Sequence, residues 1–137
     1  MAQFSLTTPN AGSHKVVIGY AQQGDFAASG PATENFTVAQ ATTQIALTPS
    51  NYYPAARSSF TLSVSVKSYS AAPPASGTVT FYANGASIGT EPVNAQGQAS
   101  LTIPALAAGY YSFSAQFGGL APDYAAAGSN YLTIQAH

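Results

Sequence analysis

Side chains that could do catalytic or metal chemistry are scarce in this sequence. Three cations and four carboxylates make up 5% of its 137 residues, where about 25% is usual in soluble proteins. Cysteine is absent, and His14 and His137 are the only imidazoles. General acid–base catalysis needs a titratable group with an orienting partner, and a zinc site needs several nitrogen or sulfur ligands together. The sequence therefore predicts no enzyme activity, no metal site and no cofactor.

The individual titratable residues have simpler structural interpretations. Asp25 and Asp123 lie in similar turn-like segments, where an aspartate commonly bonds nearby backbone N–H groups. One carboxylate per turn is too few for calcium, which takes about six to eight oxygen ligands. His14 occupies the strand position that Tyr111 occupies near the end of the chain. We therefore expect His14 to fill an aromatic-sized place at the edge of a core.

The charge balance also limits the partners of this chain. With three Lys and Arg residues and a net charge of -1, no basic stripe is available to neutralise a phosphate backbone. No apolar run approaches the roughly 18 residues of a membrane span. The sequence therefore predicts neither nucleic-acid binding nor insertion into a membrane.

Tyrosine offers the main hypothesis for a binding site. Tyr52, Tyr53 and Tyr69 lie in predicted loops, and Tyr82 and Tyr110 in loops or at outward positions of strands. Exposed tyrosine rings stack on sugar faces or anchor a protein partner. The alternative is that tyrosine is simply a good strand residue whose hydroxyl tolerates water. We take Tyr52, Tyr53 and Tyr69 as the candidate ligand residues.

The elements that would position these residues are strands. From Phe60 to Val66, and again from Tyr111 to Phe117, apolar residues alternate with Ser, Thr or Gln. This period of two is typical of half-buried strands, and Asn84-Gly85 is a strong hairpin signal. Short strands at this spacing indicate an all-β, immunoglobulin-like β-sandwich of about seven strands. Those strands are predicted at roughly 42–48, 58–67, 77–83, 86–92, 97–103, 109–117 and 129–136.

An internal repeat accounts for the remaining residues. Residues 1–40 match the last three strands in residue type and alternation, so we predict the back half of a preceding repeat at 1–40 and a complete β-sandwich at 41–137. The matching segments are 5–9 with 100–104, 11–20 with 108–117, 25–30 with 123–128, and 35–38 with the region of 130–134.

Four segments carry a resemblance to a known family. They resemble the bacterial Ig-like repeat modules that occur in series along secreted and cell-surface proteins. The four segments are Thr42 to Pro49, Gly77 to Gly89, Leu106 to Gly109 and Asp123 to Ala126. The resemblance implies an extracellular or cell-surface location and a spacer, adhesion or accessory role without catalytic residues. The family's usual Gly-Asp-x-Asn-Tyr turn is shortened at Gly24-Asp25-Phe26.

Counting halves leads to a prediction about assembly. A complete sandwich combines a front half, its first four strands, with a back half, its last three. The chain contains one front half and two back halves, so one back half has no front half to pack against and its inner side chains would be exposed. Either a preceding repeat supplies the cover, or other copies of the chain do so and form a homo-oligomer or fibre. The two function classes are thus a self-associating structural spacer and a module that binds a glycan or host surface through its tyrosines. The residues predicted to mediate self-association are Leu6, Val16, Ile18, Tyr20, Phe36 and Val38.

Overall fold

The chain divides into two compact units in a computed structural model that describes residues 3–7 and 9–137. We call Met1–Gln40 the N-terminal unit and Ala41–His137 the C-terminal unit. Every regular element in the described part of the chain is a strand. No helix long and apolar enough to cross a membrane occurs among these residues.

The N-terminal unit is built on one antiparallel pair of strands, β1 (Gly12–Tyr20) and β2 (Ser29–Val38). A third strand was predicted from the match of 5–9 with 100–104, but residues 3–7 form none, and Thr8 lies outside the described residues. The physical reason is the missing partner. In the C-terminal unit the matching segment is hydrogen-bonded to residues 60–65, and the described residues of the N-terminal unit include no counterpart of that strand.

The C-terminal unit contains two antiparallel sheets whose inner faces form one core, as the sequence predicts for a β-sandwich. Its strands are β3 (Thr43–Pro49), β4 (Phe60–Ser68), β5 (Thr78–Ala83), β6 (Ala86–Pro92), β7 (Gln98–Ile103), β8 (Gly109–Phe117), β9 (Ala127–Gly128) and β10 (Leu132–Ala136). The larger sheet has the strand order β10–β8–β5–β6, with β9 paired to β8, and the smaller sheet has the order β3–β4–β7.

The predicted strand at 129–136 is wrong at its start, because β10 begins only at Leu132 and the two-residue strand β9 (Ala127–Gly128) lies just before the predicted range. Between them, the hydroxyl of Ser129 accepts a hydrogen bond from the backbone N–H of Ala115 at 2.8 Å. The side-chain carbonyl of Asn130 accepts another from the N–H of Leu47 at 3.1 Å. The backbone N–H of Ser129 still donates to the carbonyl of Ala115 at 2.9 Å, so the serine hydroxyl takes the place of only one backbone acceptor. Asn130 connects the chain to the opposite sheet.

The core lies between the two sheets and consists of alternate strand residues. Leu62 of the smaller sheet and Val79, Phe81 and Phe117 of the larger one have no exposed surface. The rings of Phe60 and Phe113 meet edge to face across the core, with centroids 5.8 Å apart. Each such side chain contributes about 1.5 to 3 kcal/mol when it is removed from water. With no cysteine in the sequence, this packing stabilises the unit without a disulfide.

Two turns depend on backbone conformations that side chains restrict. Asn84 and Gly85 both have positive φ, at 49° and 84°, which confirms the predicted hairpin turn between β5 and β6. Gly97 has a φ of 76°, and a Cβ there would lie 2.5 Å from the carbonyl oxygen of Val66. Only glycine allows β7 to begin this close to β4.

We expect Phe81→Ala and Phe113→Ala each to lower the free energy of unfolding by about 3 to 5 kcal/mol, because each leaves a cavity in the core. Ser63→Ala is the control, since Ser63 is exposed on β4 and such a change usually costs less than about 0.5 kcal/mol. Urea unfolding of residues 41–137 measures all three. Similar losses for the phenylalanine and serine variants would contradict the sandwich core.

Candidate functional site

His14 has a structural role in the N-terminal unit. Its ring stacks on Phe36 with centroids 5.4 Å apart, and its Nε2 lies 2.7 Å from the backbone oxygen of Asn10. Both the ring face and one ring nitrogen are therefore engaged within the hairpin. This is the aromatic-like role that the sequence predicts for this position.

The carboxylates do not assemble into a site. Across residues 3–7 and 9–137, no group of three or more His, Cys, Asp or Glu side chains is close enough to hold a metal ion. Asp25 is exposed in the turn between β1 and β2. The backbone oxygen of Asp123 accepts a hydrogen bond from the N–H of Ala41 at 2.7 Å, so this turn fixes the start of the C-terminal unit.

The three candidate ligand tyrosines are exposed but do not lie together. Tyr52 and Tyr53 belong to the loop after β3, and the backbone oxygen of Tyr52 accepts a hydrogen bond from Gln135. Tyr69 follows β4, and its hydroxyl donates to Gln44 at 2.6 Å near the start of β3. At about 3.3 Å per strand residue, the length of β3 separates the two places by about 20 Å. These tyrosines therefore do not form one small-ligand site.

The predicted self-association residues share one face of the β1–β2 hairpin, except Leu6. Cross-strand pairing places His14 opposite Phe36 and Val16 opposite Glu34. Ile18 is 58% exposed, while Val16, Phe36 and Val38 are half-buried. Phe4 and Leu6 line a groove together with this face. We call the face formed by Val16, Ile18, Tyr20, Phe36 and Val38 the hairpin face.

The hairpin face corresponds to a buried surface in the C-terminal unit. Cross-strand pairs at both ends of the hairpin have counterparts in the larger sheet. At one end, Gly12 pairs with Val38 as Gly109 pairs with Ala136, and near them His14 pairs with Phe36 as Tyr111 pairs with Ile134. At the other end, Tyr20 pairs with Ser29 as Phe117 pairs with Ala127. The register therefore matches 35–38 with 133–136, rather than with the region of 130–134 that the sequence suggests. The counterparts of the hairpin face, all buried, are Phe113, Ala115, Phe117, Ile134 and Ala136.

A second surface, on the outer side of the larger sheet, brings two tyrosines together. Tyr82 of β5 pairs with Ser114 of β8, and its hydroxyl donates to Gln116 at 3.5 Å. Tyr131, just before β10, lines the same groove and is 82% exposed. Sequence reasoning singled out Tyr82 but missed Tyr131. The signal was present, because Tyr131 is out of phase with the buried Leu132 and Ile134.

Comparisons with known proteins agree on the type of fold. A profile of the bacterial Ig-like domain family, group 3, matches residues 47–136. The crystal structure of the CARDB domain of a Pyrococcus furiosus protein, solved in complex with di-metal ions, is similar with a TM-score of 0.53 and 12% identity. The match covers 74% of this chain and 95% of that domain. A solution NMR structure of that domain has a TM-score of 0.52 and 13% identity, and covers 72% and 97%.

The D0-D1 domain of intimin has a TM-score of 0.44 and 13% identity over 99% of this chain and 87% of that one. No curated protein sequence matches this chain. At these identities the likeness to the solved structures concerns the fold alone.

We expect calcium and zinc to bind the full chain no more tightly than micromolar, because no three His, Cys, Asp or Glu side chains in the described residues lie close enough together to hold a metal ion. Isothermal titration calorimetry with each metal measures this, and the melting temperature with and without metal serves as a second readout. A sub-micromolar site accompanied by a rise in melting temperature would overturn the expectation.

Proposed function

The chain belongs to the bacterial Ig-like domain family, group 3, and from this membership we propose that it is a structural module of a secreted or cell-surface protein that associates with other copies of itself. Ig-like domain families are generally non-enzymatic, and their members are often extracellular or on the cell surface. The scarcity of titratable residues supports a non-catalytic role as a spacer.

The observation that supports self-association is the exposed hairpin face. A two-stranded hairpin is marginally stable at best in water, and it usually needs a third strand or an apolar cover. Ile18 and Tyr20 are exposed, whereas their counterparts Ala115 and Phe117 are covered on all sides. Association would remove this apolar surface from water and thereby stabilise the hairpin.

The edge of β1 is a second element that favours association. In the C-terminal unit, the counterpart β8 is flanked by β10 on one edge and by β5 on the other. In the described part of the N-terminal unit, β1 is hydrogen-bonded to β2 on one edge only. An unpaired edge beside an apolar face is a site at which another strand can add. Such addition would extend a dimer into a fibre.

Exchange of the hairpin with β8 and β10 of another copy is less favourable than packing between hairpins. Ile18 takes the place of the small Ala115, which would overpack the core. We therefore propose that the hairpins of neighbouring copies cover each other, with the C-terminal unit unchanged.

We expect the full chain to form oligomers in multi-angle light scattering, and a 41–137 truncation to be monomeric at the same concentrations. Ile18→Lys should shift the full chain to monomer, because it places a charge on the hairpin face. Thr37→Lys is the matched control, since Thr37 is exposed on β2 but alternates with Phe36 and Val38 and so points to the opposite side of the hairpin, and it should leave the oligomer intact.

A full chain that stays monomeric at high concentration, with residues 1–40 protected from proteolysis, would contradict self-association. It would indicate that residues 1–40 fold back on their own repeat and that the counting of repeat halves is wrong. Family membership and the fold of the C-terminal unit do not depend on this result.

A further inference from the structure

The outer face of the β10–β8–β5–β6 sheet is neutral and rich in hydrogen-bonding groups. Its outward side chains alternate with the buried residues of each strand and carry hydroxyl or amide groups without charge. Those nearest its centre are Thr80, Tyr82, Ser112, Ser114, Gln116 and Thr133. A partner recognised by this face must offer hydroxyls and apolar patches, because the face supplies no charge to attract an ion.

Two aromatic rings flank the middle of this face. Tyr82 is the cross-strand partner of Ser114, and Tyr131 lies beside Ser114 on the other side, because the next residue, Leu132, pairs with Phe113. Adjacent strands are about 4.8 Å apart, so the two tyrosine backbones are about 10 Å apart across the sheet. The groove between them is lined by Ser114, Gln116 and Ser129.

Contacts within the sheet position the residues at this groove. The hydroxyl of Tyr82 lies 3.5 Å from the side-chain oxygen of Gln116, a long hydrogen bond. The Asn84-Gly85 turn at the end of the groove is fixed to β8, where the N–H of Ser112 donates to the side chain of Asn84 at 2.9 Å. Tyrosine itself has only two side-chain torsions to order on binding, which keeps the entropic cost low.

From this arrangement we infer that the groove between Tyr82 and Tyr131 binds a neutral polysaccharide. Sugar rings present C–H faces that stack on tyrosine, and their hydroxyls match the hydroxyl of Ser114 and the amide of Gln116. The groove is shallow and lies on an open sheet face, so it takes an internal stretch of a polymer. The site is distinct from Tyr52, Tyr53 and Tyr69, and it does not depend on the self-association of residues 1–40.

Binding isotherms of the full chain on microcrystalline cellulose, chitin and insoluble xylan test the inference. We expect binding to at least one of the three, and the same affinity at 0.05 M and 1 M NaCl, because no ion pair is involved. The double variant Tyr82→Ala, Tyr131→Ala should bind at least tenfold more weakly. The matched control, Tyr52→Ala with Tyr69→Ala, removes two exposed tyrosines elsewhere and should bind like the unmodified chain.

Two further variants separate loss of the site from loss of the fold. Tyr131→Ala alone should weaken binding without lowering the melting temperature, because Tyr131 is 82% exposed. Tyr82→Phe keeps the ring and should retain most of the affinity. The inference is overturned if the full chain binds none of the three polymers, if salt abolishes binding, or if the control variant loses as much affinity as the Tyr82 and Tyr131 double variant. Light scattering of the same samples keeps this result separate from the oligomeric state.

Discussion

The packing of alternate apolar side chains between two sheets is the interaction on which the rest of this protein depends. Phe81 and Phe117 from one sheet and Leu62 from the other are completely buried. The sequence contains no cysteine, so no disulfide joins the sheets. Asn130 adds a polar link to Leu47 across them. The two sheets are therefore held together by the close fit of their side chains. Packing in protein interiors is sensitive to the gain or loss of a single methylene group.

The same dependence explains the contrast between the two units. The hairpin of β1 and β2 has the register of β8 and β10, down to the pairing of Tyr20 with Ser29. In the C-terminal unit a facing sheet and a neighbouring strand complete the core. The described N-terminal unit has the strand pair but not the facing sheet, so its apolar face is left exposed. A similar local pattern thus yields a buried core in one place and a partly exposed apolar face in the other.

The scarcity of charge has consequences for recognition. A surface with few ions attracts partners weakly over long distances, so contacts must come from shape, stacking and hydrogen bonds. The hairpin face supplies apolar contact, and the outer sheet face supplies tyrosine rings with hydroxyl and amide groups. Both fit a module that acts where many copies or repeated ligand units are held close together. Weak individual contacts then add through effective concentration.

The sequence by itself determined the strands, their buried faces, the Asn84-Gly85 turn and the scarcity of catalytic side chains. These features are local, because the alternation of apolar and polar residues and the conformation of a turn each depend on consecutive residues. The tertiary structure alone decided which distant residues meet. It separated Tyr69 from Tyr52 and placed Tyr82 and Tyr131 on either side of β8. It also delayed the start of the last predicted strand to Leu132, because Ser129 and Asn130 bond to other strands. It also left residues 3–7 without a strand, because a strand needs a partner and the pairing of strands is a non-local property.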